Sequence, residues 1–258
     1  MSIHGFAEIC DWETAIVLGA RSNEIEFWQA FAAKYSNNLL ELGAGTGCFT
    51  IPLLQMGCQI SALDISVEAL NYLQVKAHKL QGGAELKIYQ RDMRDFLLND
   101  IFSACIASYS TFQYLLSHKD QLHCLQAVHK HLLPDGILCL DLDNEITHSP
   151  DSLTFTKLYS EFNHEYQAQI SLYTSWDTAA NGNQRNWHDY YQIEYKDGRK
   201  TDFTNDISMK AVQFDEMKLL LKEAGFGMIK TYGDYDYCDF TPLSPRMIIV
   251  AQKSTLNK

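Results

Sequence analysis

The run Glu41-Leu42-Gly43-Ala44-Gly45-Thr46-Gly47 has the composition of a loop built to touch a ligand. Glycines at alternate positions let a chain turn sharply and let a bound group approach the backbone without meeting a Cβ. The spacing is G-x-G-x-G, with an acid two residues before the first glycine. The dinucleotide fingerprint, G-x-G-x-x-G, is one residue longer and uses a helix N-terminus to hold a pyrophosphate. The shorter spacing better suits a cofactor with an amino-acid tail and no phosphate. Asp64 closes the next apolar run, in Leu63-Asp64-Ile65-Ser66, where a carboxylate can accept from both hydroxyls of a ribose. Asp92 and Met93 close the one after, an acid that could accept from an adenine amino group beside a side chain that could pack the ring. Taken singly, the loop could be a structural turn, and Asp64 could simply stabilise the helix that follows it. Acids at consecutive strand ends favour a site, because ligands of open α/β sheets lie there.

Such residues converge only if the elements between them alternate. Short apolar runs predict strands over 38–42, 59–63, 85–89, 103–108 and 137–142, with helix-period segments between most of them. Ser66 caps a helix over 66–79 that carries Glu68 in its first turn. Ser117 with Asp120 fits a capping box for a helix whose stripe is Leu122, Leu125, Val128 and Leu132, and Pro134-Asp135-Gly136 is expected to end it. Alternation of this kind means βαβ units and a parallel sheet. From about 163 to 210 the pattern becomes period-2 aromatics with Asn181-Gly182 and Asp197-Gly198 as hairpin turns, an antiparallel β unit inserted before the last helix. That helix carries Phe214, Met217, Leu220, Leu221 and Ala224 on one face and stops at Gly225, before final strands over 228–232 and 247–251. The expected organisation is an N-terminal helical cap over 1–37, a core over 38–150, an inserted antiparallel lid over 151–212, and the last helix and strands of the core over 213–258.

The 258 residues carry a net charge of −11, which disfavours phosphate backbones, and no Lys/Arg run offsets it. Nucleic acid and membrane are therefore not expected partners: no window approaches a membrane span, and residues 1–12 do not read as a signal peptide. The 7 cysteines are odd in number and form no C-x-x-C pair, so reduced thiols in a cytoplasmic protein without structural zinc are expected. His118, His123, His129 and His131 share one helix but lack metal-ligand spacing, so they read as packed or solvated, and no metal is expected. The aromatics Tyr166, Tyr173, Trp176, Trp187, Tyr190, Tyr191 and Tyr195 suit strands. Some of them could equally line a substrate pocket.

The motifs E-L-G-A-G-T-G, L-D-I-S and R-D-M, with an apolar strand leading to Ser108-Tyr109-Ser110, resemble class I S-adenosylmethionine-dependent methyltransferases of the small-molecule branch. The C-terminal pieces Glu223-Ala224-Gly225-Phe226, Tyr232-Gly233-Asp234 and Ser244-Pro245-Arg246-Met247-Ile248 extend the likeness. It implies a Rossmann-like doubly wound α/β sheet of seven strands, the last antiparallel, and S-adenosyl-L-methionine as cofactor. It also implies that Glu41, Gly43, Ala44, Gly45 and Gly47 line the methionine side, and that Asp64 holds the ribose with Ile65 against the adenine. Asp92 and Met93 would flank the adenine edge, and Ser108 and Tyr109 would lie near the transferable methyl.

The family's N-terminal aromatic-acid pair is matched by Cys10-Asp11, with Trp12 the aromatic that could take its place; Met209-Lys210-Ala211 departs from the family pattern, and Lys210 inherits no role. Transfer to a protonated acceptor needs a base, and Tyr109, Tyr114, Asp143 and His148 are placed for it. Asp141 and Asp143 could contact substrate, or Asp143 with Asn144 could form a turn. The expected function is N- or O-methylation of a small-molecule acceptor by in-line displacement. The alternatives are a non-catalytic cofactor-binding protein and a methyltransferase acting on a peptide or protein. The glycine spacing argues against a nicotinamide enzyme, and Ser108-Tyr109-Ser110-Thr111 lacks the D/N-P-P-Y/F motif of base-amino methyltransferases. Nothing in the sequence signals an oligomeric state.

Overall fold

The apolar runs become the strands of one sheet. A computed structural model describes residues 3, 5–18, 22–35, 38–80, 86–144, 151–180 and 182–254. Strands β1 (Leu39–Leu42), β2 (Ile60–Asp64), β3 (Leu86–Gln90), β4 (Phe102–Ala107) and β5 (Leu132–Asp143) pair in parallel, and β10 (Phe226–Tyr232) and β11 (Arg246–Lys253) complete the sheet. The order is β3-β2-β1-β4-β5-β11-β10, with β11 antiparallel to both neighbours. The order reverses between β1 and β4, and open α/β sheets bind ligands beyond the strand ends at such a reversal. β1 is buried along its whole length, as a central parallel strand should be.

Helices cover both faces. α5 (His118–His131) and α6 (Phe214–Glu223) bury Leu125, Val128, Met217 and Leu220 on one. α2 (Ser22–Tyr35) and α3 (Thr50–Gln55) bury Phe27, Trp28, Phe31 and Leu53 on the other. α4 (Val67–His78) seats Leu70 and Leu73 against Ala44 and Ala62. The Ser66 hydroxyl accepts from the Ala69 N–H at 3.2 Å, and the Ser117 hydroxyl accepts from the Asp120 N–H at 3.0 Å. α6 ends before Gly225, whose φ is +88°. The helix over α5 stops earlier than Pro134-Asp135-Gly136: its last residue is His131, and Leu132 is already extended. The tripeptide forms an excursion inside β5, with Asp135 at φ +60° and a register shift against β4.

A second, antiparallel sheet is made by β6 (Ser152–Asn163), β7 (Ala168–Thr178), β8 (Gln184–Tyr195) and β9 (Lys200–Lys210) in sequential order. It begins one strand before the aromatic-rich stretch, because β6 is a mostly exposed edge whose sequence lacks clean alternation. Gly182 and Gly198 take φ of +72° and +86° in its turns; Asn181 lies outside the described residues. The two N-terminal helices part company. α2 belongs to the large sheet's core, whereas α1 (Phe6–Leu18) packs Ile9 and Phe6 against Leu172, Tyr191 and Ile193 of the second sheet.

Candidate active site

Beyond the ends of β1, β2 and β3 lies a cavity of about 780 Å³, a size typical of small-molecule sites. Its floor is the glycine loop. Gly43 and Gly45 have φ of +63° and +54°, which only glycine adopts without strain. At Gly43 a Cβ would overlap the Thr111 side chain, while at Gly45 it would meet nothing within 4 Å, so that backbone faces open space. Asp64 fixes the loop: its Oδ2 accepts the Gly45 N–H and its Oδ1 the Ser66 N–H, both at 2.8 Å. One carboxylate therefore ties the loop to the start of α4, where the helix dipole also favours it.

Glu41 is fully buried below the loop. Its carboxylate accepts from the Thr50 hydroxyl at 2.5 Å and from the Ser108 hydroxyl at 3.4 Å. Burial pushes its pKa up to about 7 despite those two hydrogen bonds. Ile65, 66 % exposed, lines the cavity wall as an apolar platform. Met93 lines the same wall. Asp92 does too, but its carboxylate is engaged by Arg94, with the Arg94 Nη2 at 2.5 Å and its N–H at 2.9 Å, and these contacts hold its pKa below the usual carboxylate range.

After β4 the chain makes a tight turn in which Tyr109 and Ser110 both adopt positive φ, 50° and 61°. Consecutive left-handed non-glycine residues cost energy and persist only when their surroundings hold them. Here Asp141 accepts the Tyr109 N–H at 2.9 Å, and Arg246 donates to the Ser110 hydroxyl at 3.0 Å and to Asp141 Oδ1 at 2.5 Å. The Tyr235 hydroxyl lies 2.8 Å from Asp141 and 2.6 Å from Glu24, closing a buried polar network behind the turn. Asp141 is thus a buried structural carboxylate and does not face a substrate. Gln113, on the 3-10 turn that follows, donates to the carbonyls of Asp143 and Lys210 and accepts from the Asp143 N–H, joining the two sheets.

The roof comes from α1 and the second sheet. α1 is latched to the loop: Asp11 accepts from the Thr46 hydroxyl at 2.6 Å and pairs with Lys76 of α4 at 2.6 Å. Phe6, Cys10, Glu13 and Thr14 line the cavity from α1, and Asp189, Tyr191, Asn205 and Ile207 line it from β8 and β9. Glu13 accepts from the hydroxyls of Tyr159 at 2.7 Å and Tyr191 at 3.0 Å, and burial raises its pKa. Tyr114 faces the same space, with its phenol pushed up by burial.

Of the residues singled out in the sequence, Glu41, Gly43, Ala44, Gly45, Asp64, Ile65, Asp92, Met93, Ser108, Tyr109 and Tyr114 line one cavity. Gly47 does not line it; with φ +91° it packs where a Cβ would strike Leu73. Asp143 does not line it either, its backbone serving the Gln113 link. His148 lies outside the described residues. Trp12 packs edge-on to Tyr159 at 5.9 Å, and Phe6 is the aromatic that α1 gives the cavity. Tyr191 lines it, whereas Trp176 and Trp187, paired across β7 and β8, do not. Sequence reasoning missed Glu13, Asp189 and Asn205. Asp189 carried a usable signal: it is an acid on the inward-facing parity of β8, between Trp187 and Tyr191. Lys210 is buried against Glu216 at 2.5 Å, and His131 is a core histidine that donates to the Ala127 carbonyl and accepts the Leu98 N–H. Among the described residues no group of His, Cys, Asp or Glu is placed to hold a metal ion, and no helix is long and apolar enough to cross a membrane.

Residues 39–136, which hold the loop and the strand-end acids, match the family described as a methyltransferase domain. The chain is 28% identical over 237 residues to a glycine/sarcosine N-methyltransferase of Halorhodospira halochloris, covering 88% of this chain and 78% of that one. Its fold is shared with an S-adenosylmethionine-dependent methyltransferase of Clostridium acetobutylicum, with a TM-score of 0.75 at 14% identity over 90% of this chain and 92% of that one. The sugar N-methyltransferase KedS8 of a Streptoalloteichus species gives a TM-score of 0.74 at 16% identity, over 91% and 88% of the two chains.

Proposed function

We infer that this chain is a class I S-adenosylmethionine-dependent methyltransferase whose acceptor is a small molecule taken into the part of the cavity roofed by α1 and the second sheet, a reading supported by the match of its core to a methyltransferase domain and by its relatives. The observation that carries this reading is the single cavity shared by the glycine loop and by side chains of β8 and β9.

The residues present fit the cofactor. The open space over Gly45 admits a ligand against the backbone, and the exposed face of Ile65 offers a platform for an adenine. Glu41 and the loop would hold the amino-acid tail, and Asp64 the ribose. Asp92, held in place by Arg94, and Met93 would flank the adenine edge. When bound, this cofactor supplies a methyl group on a positively charged sulfur.

The chain's own work is to hold, orient and exclude water. The turn at Tyr109-Ser110, stiffened by Asp141 and Arg246, places a rigid edge between the loop and the roof. Correct positioning of this kind can supply roughly 7–11 kcal/mol of a barrier. Tyr109 and Tyr114 remain the candidates to hold a proton at the acceptor, since both line the cavity. The seven cysteines form no disulfide, which supports a cytoplasmic setting.

Incubation with methyl-labelled S-adenosylmethionine and a cell metabolite extract tests the reading. Label should enter a small molecule, with one S-adenosylhomocysteine formed per methyl transferred. Label confined to peptides would move the acceptor class, and binding without turnover would make the protein a cofactor-binding module.

A further inference from the structure

The two halves of the cavity differ in charge, and the difference bears on what is methylated. The inference rests on the small-molecule methyl-transfer reading above. Among the described residues, the cationic side chains lining the cavity are Arg91 and Arg94. Both follow β3 at the cofactor end, and Arg94 is already paired with Asp92. The roof end instead carries two carboxylates from different elements, Glu13 on α1 and Asp189 on β8. Glu13 is engaged by two tyrosine hydroxyls.

Asp189 is placed differently. Its cross-strand neighbours are Thr174 and Asn205, both uncharged. The adjacent His188 pairs instead with Asp177 and Asp206. A carboxylate drawn partly out of water favours a counter-charge; among the described residues lining that end none is cationic, and the Thr174 hydroxyl and the neighbouring His188 only partly offset its burial. A second anion entering that space would meet two acids and, among the described residues, no cation.

We propose that the acceptor is an amine that carries no carboxylate or phosphate beside its nitrogen, and that Asp189 is the specificity residue that receives its ammonium group. Asn205 and Thr14 line the same end and offer uncharged hydrogen-bonding partners, which suits an acceptor bearing hydroxyls. Before its nitrogen can offer a lone pair, the ammonium must shed a proton, and the Asp189 carboxylate is the base beside it. Burial raises the pKa of Asp189, which eases that transfer. The glycine and sarcosine of the relative's name each place a carboxylate one carbon from the nitrogen, so this enzyme would differ from that relative in acceptor.

Matched ligand pairs test the proposal by ligand-observed NMR on protein loaded with S-adenosylhomocysteine. The pairs are ethanolamine with serine, tyramine with tyrosine, agmatine with arginine, and glucosamine with glucose. The amine without a carboxylate should bind in at least one pair, while its carboxylated or amine-free partner does not. Asp189→Asn should weaken that amine roughly ten- to hundredfold, the cost of losing a hydrogen bond to a charged group, and leave S-adenosylhomocysteine affinity unchanged. Binding of the amino acids or of glucose as strongly as their partners would overturn the proposal, as would an indifferent Asp189→Asn or the failure of every amine. The paired comparison uses the unaltered protein, so it decides the matter even if the variant is unstable. Failure of the unaltered protein to bind S-adenosylhomocysteine would instead sink the methyl-transfer reading itself.

Discussion

The cofactor end and the roof end of the cavity are built by different means. The cofactor end is mostly backbone: two positive-φ glycines, two strand ends and one carboxylate that binds N–H groups 19 and 2 residues away. The roof end is mostly side chain, assembled across contacts such as Tyr191 to Glu13, 178 residues apart. A backbone site is fixed once the chain turns as it must. A side-chain site depends on two separate elements docking, and it can change its ligand by changing a few residues. Cofactor choice and acceptor choice should therefore respond to different substitutions.

The largest effect is expected where the large sheet supports the turn between the two ends. Arg246→Met leaves Asp141 buried without its cation, and breaking such a pair costs about 3–5 kcal/mol. Chemical denaturation should show that loss. A loss under 1 kcal/mol would mean the network does not brace the turn.

Glu41 gives the next largest effect. Its carboxyl sits at about 7 in the fold against an ordinary 4.5. Between those values the folded chain holds a proton that the unfolded chain has released, so stability falls as pH rises from about 4.5 to about 7. At roughly 1.36 kcal/mol per unit, the swing is on the order of 3 kcal/mol. Glu41→Gln should remove that slope. S-adenosylhomocysteine, whose amino group would lie near Glu41, should bind the unaltered protein more tightly at pH 8 than at pH 6. A flat profile in both proteins would place that amino group elsewhere.

Smaller effects belong to the roof. Tyr191→Phe removes a hydroxyl that donates to Glu13 and should cost about 0.5–1.5 kcal/mol of stability. It should also change acceptor KM or kcat with little change in cofactor affinity. Trp176→Ala and Trp187→Ala remove aromatics that do not line the cavity, so acceptor preference should be unmoved and only melting should fall. A switched acceptor preference in either tryptophan variant would blur the boundary between pocket and scaffold.

The contrast also explains what could be read from the sequence. The glycine loop, the Ser66 and Ser117 caps and the parallel strands were legible because each rests on neighbours within a few residues. The count of seven strands, with the last antiparallel, followed from the family resemblance; the strand order came from the structure. Asp92 lines the cavity as expected, and its pairing with Arg94, two residues on, was not read from the sequence. Asp141 looked like a site acid, but Arg246 reaches it from 105 residues away. Glu13 and Asp189 went unnoticed for the same reason: only docking of α1 and the second sheet onto the core brings them to the cavity. The early end of α5 was hidden because Pro134 and Gly136 are turn residues wherever they stand, and here they shape an excursion within a strand.

The most direct test of the division is the affinity of S-adenosylhomocysteine for the unaltered protein, Asp64→Ala and Asp189→Asn, measured by calorimetry beside NADH. The unaltered protein should bind S-adenosylhomocysteine and bind NADH far more weakly. Asp64→Ala should lose about 1.5–3 kcal/mol of that affinity, and some stability too, since Asp64 ties the loop to α4. Asp189→Asn should bind it as the unaltered protein does. Tight NADH binding, an unaffected Asp64→Ala, or equal losses in both variants would contradict a cofactor held at the glycine loop apart from the acceptor.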